Sequence, residues 1–520
     1  MKNKFLILSI FAALCLPSCG DEDPDTGSAV KIDETFDKRA ASSDAEAYKL
    51  FFKTPNTISG DPMPFYNEQE KKFYLFYLSY IPATIADGVV VTKTTNFATF
   101  ENVSAAINVG RETSDSWDYG IGTGSCIKNG GLYSFFYTGF SSNAYSQVVL
   151  KATSSDGKTW TKQPSMRVVA PADFKPSEFR DPCVYFDDTR NTFVMLVGSV
   201  RNNRAAIARF ASDDLNDWQP IEPIVATTSG NPQTFEIETD TWITECPDIF
   251  KMGDKWYLIF SRINGDIHRK TFYRVADNPN GPWKICRSES GHHETFDGLY
   301  LYAGKTVSDG ANRYLTGWAS QGQYANNGEL AWGGMLVTHR LVQQPSGKLY
   351  PAIPDAIDAK FSKTVEYKNI KKEGNVSGEN GNFTVTNGKA VFNRNTTQSL
   401  KIEMKIDASQ AIKNFGIAFG AYESQQDAFK LVFDTSSDNA LGCPSMILMQ
   451  NGKDLNHTPL VVSADKIFNI KIVAEKAVAV LYVNGTMAFT NRMENMENNP
   501  WMIFSDNGTV KFENIRIYKQ

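Results

Sequence analysis

Asp181-Pro-Cys-Val-Tyr-Phe186, then a polar turn, then Thr192-Phe-Val-Met-Leu-Val197 is the stretch that decides the fold: an acidic start, a short strand, a turn and an apolar strand. The wider pattern, a polar or acidic start, a short strand, a turn and an aromatic-rich strand, covers four more segments. Asp61-Pro-Met-Pro-Phe-Tyr66 precedes Lys72-Phe-Tyr-Leu-Phe-Tyr-Leu78, and Ser125-Cys-Ile127 precedes Leu132-Tyr-Ser-Phe-Phe-Tyr137. Cys246-Pro-Asp-Ile-Phe250 precedes Lys255-Trp-Tyr-Leu-Ile-Phe260, and Leu301-Tyr-Ala-Gly304 precedes Arg313-Tyr-Leu-Thr-Gly-Trp318. The starts recur about every 55 to 65 residues, the mark of a repeat architecture. Between them lies a second marker, a strand, a polar turn and an aromatic, at 92–100, 152–160, 211–218 and 276–283. Each repeat therefore holds about four strands, the content of one propeller blade. Five of them predict a five-bladed β-propeller over residues 48–355.

Beyond residue 359 the texture changes. Alternating strands such as Leu400-Lys-Ile-Glu-Met-Lys-Ile406, Phe468-Asn-Ile-Lys-Ile-Val473 and Val478-Ala-Val-Leu-Tyr-Val483, the last followed by Asn-Gly, predict a C-terminal β-sandwich over 359–520. The chain is expected to be all-β.

In a propeller the first strand of each blade lines the central channel, so equivalent positions face one another. Asp61, Asp181 and Glu245 stand at nearly equivalent starts and are expected to converge in one funnel. Glycoside hydrolysis needs two carboxyl groups, one protonated to serve the leaving oxygen and one ionised as nucleophile or base. Crowded like charges help raise the pKa of one of them.

At these residues the chain resembles glycoside hydrolase family 32, fructan- and sucrose-cleaving enzymes built as a five-bladed propeller plus a β-sandwich. Phe179-Arg180-Asp181-Pro182 is similar to the family's RDP motif, and Glu245-Cys246 to its EC motif. Gly122-Thr-Gly-Ser125 resembles its FSGS segment. Phe296-Asp297-Gly298, Gly317-Trp318, Gln323-Tyr-Ala-Asn326 and Trp332-Gly-Gly-Met335 match the region around the fifth blade. The first blade departs from WMNDPNG: Ile58-Ser-Gly-Asp61-Pro62 keeps the Asp-Pro pair and loses the preceding Trp and Asn, and Phe76-Tyr77-Leu78 replaces FYQ. The resemblance implies Asp61 as nucleophile, Glu245 as general acid/base and Asp181 as transition-state stabiliser, with no cofactor and no metal. Arg180, Ser125 and Asp297 are expected to contact substrate, with Asp118 as a further hydroxyl binder. Trp117, Trp318 and Trp332 are read either as sugar platforms or as blade packing. Cys246 is expected to pack behind Glu245 and tune it. On the same scaffold a family 43 pentose glycosidase and a non-catalytic surface glycan-binding lipoprotein are the other readings.

Composition is that of an ordinary globular chain and argues against a nucleic-acid partner. Hydrophobic residues make up 42% and charged residues 21% of the 520, and 53 Lys plus Arg against 58 Asp plus Glu leave a net charge of −5 with no basic block. The amino terminus reads as a lipoprotein signal over 1–18: Lys2 and Lys4, an apolar run, and Leu16-Pro-Ser-Cys19, with Cys19 the expected lipidation site. An acidic tether over 19–47 follows, similar to the surface-export signal of Bacteroidetes lipoproteins. The expected location is the outer membrane, at the cell surface, with the periplasmic face as the other reading. The five remaining cysteines lack metal-ligand spacing and predict no disulfide framework. The expected partner is an oligo- or polysaccharide.

Overall fold

A computed structural model describes residues 47–80, 88–110, 116–141, 146–226, 235–237, 241–264, 270–287, 295–320, 332–393, 397–420, 428–439, 441–493, 496 and 499–520. The signal segment, Cys19, nearly all of the tether and Gln323 to Asn326 lie outside the described residues. Asp355–Ala359, at the junction of the two parts, is the one α-helix among the described residues.

Five antiparallel four-stranded units follow in chain order. Blade I is Ile58–Asn67, Lys72–Tyr80, Gly88–Thr94 and Ser104–Asn108. Blade II is Gly120–Asn129, Leu132–Phe140, Gln147–Ser154 and Thr161–Val168. Blade III is Phe174–Asp187, Thr192–Arg201, Arg204–Ser212 and Gln219–Val225. Blade IV is Thr241–Met252, Lys255–Asn264, Lys270–Ala276 and Lys284–Ile285. Blade V is Leu301–Ser308, Arg313–Ser320, Gly334–Gln343 and Leu349–Ala352. Second strands such as Thr192–Arg201 are buried at nearly every position, because neighbouring blades cover both faces. Fourth strands such as Gln219–Val225 are far less buried, with Ile224 the one fully buried residue of that strand, because their outer edge meets water.

The second sequence marker is a turn capped by its own side chains. Ser154 Oγ accepts the Gly157 N–H and Asp156 Oδ1 accepts those of Lys158 and Thr159. Ser212 and Asp214 do the same for Leu215, Asn216 and Asp217, and Thr94 and Asn96 for Phe97, Ala98 and Thr99. These local bonds compete with strand pairing and end the third strand at the same place in blades I, II and III. The aromatic that follows packs inward: Trp160 meets Phe135 edge-on at 5.7 Å and Trp218 meets Phe136 at 5.5 Å.

The ring closes between its ends. Ser59 pairs with Gly334, and Phe52 and Leu336 exchange both backbone hydrogen bonds at 2.9–3.0 Å, so the segment before blade I joins the sheet of blade V. The Glu475 carboxylate of the C-terminal domain accepts the N–H groups of Lys49, Leu50 and Phe51.

The sandwich is stitched by Trp501–Lys519, a 19-residue strand that pairs with Phe415–Phe419 near its start and with Ser399–Ala411 further on. Its core includes Phe415 stacked on Phe433 at 5.5 Å. Val473, Val478, Val480, Tyr482 and Ala488 share one apolar cluster with Leu301, Leu315, Met335 and Val337 of blade V.

Asp297 lies in that seam, which corrects its expected place at the substrate. Its carboxylate is 2% exposed and accepts the Thr490 N–H at 2.6 Å, the Thr490 hydroxyl at 2.5 Å and the ring of His339 at 3.0 Å. The Gly298 N–H, at 2.6 Å, takes the fourth acceptor site, so no lone pair is left for a sugar. Asp297→Ala strands these buried donors, each costing about 1–3 kcal/mol, so the expected outcome is a lower melting temperature with an unchanged KM; a raised KM at unchanged stability would return Asp297 to the substrate site.

Candidate active site

Every innermost blade strand carries a β-bulge at the same level. The registers skip two residues after Gly60, Ile121, Arg180, Glu245 and Tyr302. The first skipped residue has positive φ in four blades: Asp61 (46°), Asp181 (64°), Cys246 (50°) and Ala303 (52°). An L residue there costs roughly 1–2 kcal/mol, and bulges re-aim side chains beside active sites. The second skipped residue is Pro62, Pro182 or Pro247 in three blades, a position whose missing N–H breaks no ladder bond. The repeated X-Pro start is thus the bulge itself. Asp61 and Asp181 are equivalent; Glu245 stands one position earlier, level with Arg180 and Tyr302.

The bulges join all five blades in a ring of contacts. Asp61 Oδ1 accepts Trp318 Nε1–H at 2.8 Å and Oδ2 accepts the Thr123 hydroxyl at 2.8 Å. The Thr138 hydroxyl donates to Thr123 O and accepts the Asp181 N–H at 2.7 Å. Asp181 Oδ2 accepts the Cys246 N–H at 2.9 Å. Glu245 Oε1 accepts Arg180 Nε–H at 2.9 Å, and Oε2 accepts the Tyr302 hydroxyl at 2.5 Å. The Tyr302 ring lies edge-on to Trp318 at 5.4 Å, which returns to Asp61.

Burial, and then the negative charge of Asp181, push the Asp61 carboxyl from 3.8 up to about 7 against the pull of its two donors. Burial and Glu245 push Asp181 up in turn, while Arg180 opposes them. Burial works against the charge of Arg180, but Glu245, Glu178 and Asp181 outweigh it and hold the guanidinium protonated. The Cys246 thiol is driven well up by burial and by Asp181, so it stays a thiol. Both its backbone N–H and its sulfur contact Asp181, so Cys246 serves that residue rather than Glu245.

The other expected residues divide. Trp318 belongs to the site as the donor to Asp61. Trp332 lies against Gly60, where a Cβ would come within 2.6 Å of its indole, and so walls the nucleophile's strand. Ser125 is spent on the blade III backbone, its Oγ accepting the Val184 N–H at 3.0 Å. Trp117 carries the Arg167 guanidinium over its ring at 4.9 Å, and Asp118 is paired with Lys162 and Ser116. Sequence reasoning missed Thr123, Thr138 and Tyr302. Aligning the repeats on the skipped pair finds Thr123 and Tyr302, whereas Thr138 sits on a second strand with no signal. It also missed Lys305, 3% exposed, whose ammonium crosses the channel from blade V to donate to Gly124 O at 2.9 Å.

A propeller funnel that holds one carboxylate by both oxygens, a second between a phenol and a guanidinium, and a third beside them defines a carboxylate-type glycoside hydrolase. Residues 51–351 match the model of the glycosyl hydrolases family 32 N-terminal domain, and residues 347–517 match the GH32, BT1760-like, C-terminal domain. The chain belongs to glycosyl hydrolase family 32. It is 22% identical to the levanbiose-producing levanase of Bacillus subtilis (strain 168) over 93% of each chain. It is 27% identical to sucrose-6-phosphate hydrolase of Escherichia coli over 44% of this chain, a stretch spanning 48% of that relative. Its fold is similar to that of sucrose-6-phosphate hydrolase from Lactobacillus gasseri (TM-score 0.69, 17% identity, 93% of this chain and 94% of the other). It is also similar to that of fructan 1-exohydrolase IIa from Cichorium intybus (TM-score 0.68, 17% identity, 90% and 96%).

Proposed function

We propose that the protein hydrolyses β-fructosyl linkages of levan, inulin or sucrose-type substrates with retention of configuration. The observation that carries this reading is Asp61 held at both oxygens by Trp318 and Thr123 in the same ring as Glu245. One donor at each oxygen suits the ionised carboxylate and fixes its orientation for attack. In the first step an Asp61 oxygen bonds to the anomeric carbon as the glycosidic bond breaks, and Glu245 gives its proton to the departing oxygen. In the second, Glu245 takes a proton from water, whose oxygen displaces Asp61 and frees the sugar. Asp181, fixed by the Cys246 N–H, accepts from sugar hydroxyls as positive charge develops on the ring. Gly60 and the Trp332 indole present an apolar wall where the family pattern has an amide side chain.

The end-to-end similarity to a levanase favours fructan as substrate. The lipobox-like Leu16-Pro-Ser-Cys19 and the acidic run after it support a lipid-anchored protein at the outer surface of the cell, acting on chains too large to be taken up.

Product release from levan, inulin, sucrose, arabinan and xylan tests the substrate. Fructose or fructo-oligosaccharides first released as the β-anomer are expected; pentose release, or first release of the α-anomer, overturns the reading.

A further inference from the structure

The funnel holds a fourth acid that the mechanism above does not use. Glu178 stands two residues before Arg180 on the innermost strand of blade III, and the two side chains meet. It is 6% exposed, and its Oε2 accepts Arg180 Nη1–H at 2.5 Å. The same Nη1 reaches Gln147 Oε1 at 3.3 Å, Nε is on Glu245, and Nη2 is buried with no hydrogen-bond partner among the described residues. One guanidinium is thus shared between two carboxylates, only one of which can reach the reacting bond.

We propose that Glu178 is a positioning residue of the reaction: it grips Arg180 from behind and takes up part of its charge, so that Arg180 steadies Glu245 without locking it in the ionised state. An acid/base must carry a proton when the substrate arrives and lose it when the bond breaks. A full positive charge 2.9 Å away would favour the ionised form throughout. A second carboxylate on the same guanidinium divides that attraction, and the planar fork keeps Nε aimed. This rests on Glu245 as the acid/base.

The groups facing this cluster are Lys175 and Asp181 from blade III, with Lys175 3.9 Å from Glu178, Gln147 from blade II and Asp61 from blade I. Blade IV brings Glu245 and Cys246, and blade V brings Tyr302 and Lys305. Among the described residues none of these touches both acids, whereas Arg180 does, through Nε to Glu245 and Nη1 to Glu178.

The test is the pH dependence of kcat/KM on a fructan or sucrose, for the wild-type protein, Glu178→Gln, Glu178→Ala and Glu245→Gln, alongside thermal melting. Gln keeps an acceptor for Nη1 and loses the charge. Glu178→Gln is expected to keep most of its rate at low pH while the basic limb moves toward acid by about one unit. Glu178→Ala is expected to show the same move with a further loss of kcat. A basic limb that stays in place in both variants while their melting temperatures fall overturns the proposal and leaves a purely structural ion pair. Glu245→Gln separates the two readings. If it loses the basic limb, an unmoved limb in Glu178→Gln counts against the clamp alone; if it retains that limb, Glu245 is not the acid/base and both readings fall.

Discussion

Asp61→Asn is expected to abolish turnover and at the same time to make the protein harder to melt above neutral pH. The rate falls because an amide cannot form the glycosyl ester; removal of a nucleophile costs on the order of 10⁴-fold or more. The stability rises because the wild-type carboxyl has a folded pKa of about 7 against 3.8 for the free group. Below pH 3.8 folded and unfolded chains both hold the proton, and the residue costs nothing. As pH rises from 3.8 to about 7 the unfolded chain releases the proton first, so stability is lost progressively. Above 7 the loss levels off at a ceiling on the order of 4 kcal/mol, using about 1.36 kcal/mol per pKa unit. Asparagine carries no such penalty. Melting curves of both proteins from pH 4 to pH 8 should therefore coincide at the acid end and separate at the other. Equal curves at pH 8 would mean that Asp61 is not strained by its surroundings.

Glu245→Gln is expected to lower kcat/KM on sucrose or levan by about 10²- to 10⁴-fold, the usual worth of general acid–base catalysis. On an aryl fructoside with an acidic phenol as leaving group the first step needs no proton, so most of that loss should vanish from it. The second step then becomes slow, and a burst of phenol precedes steady turnover. An equal loss on both substrates would make Glu245 a binding group rather than a proton donor.

The blades were legible because their signals are local. Period-2 runs mark the strands, and Ser154 with Asp156 or Ser212 with Asp214 mark the turns, each needing only its own few residues. Asp61 and Asp181 could be read for the same reason, since each sits in a bulge whose proline shows in the sequence. Glu245 is legible as well, and so is its offset of one position, because Cys246-Pro247 aligns with the two Asp-Pro pairs and leaves Glu245 just before the bulge. Asp297 could not be placed at all from its neighbours: its partner Thr490 is 193 residues away. Thr138 and Glu178 belong to residue types that more often face water, and only the convergence of blades II, III and IV gives them a task.

The closure of the propeller sets an order of events during synthesis. The segment at Lys49, Leu50 and Phe51 leaves the ribosome first among the described residues, yet the next residue's partner, Leu336, lies on the last blade and its own cap, Glu475, 424 to 426 positions later. At a translation speed of about 5–20 residues per second, that segment waits tens of seconds with its amides unpaired. Asp61, a short way further along the chain, shares that wait, so the nucleophile meets its Trp318 donor only when the fifth blade arrives. The nascent chain is therefore inert toward sugars until almost the whole of the propeller has been made, and a chain cut short before the second domain leaves the ring without its clasp.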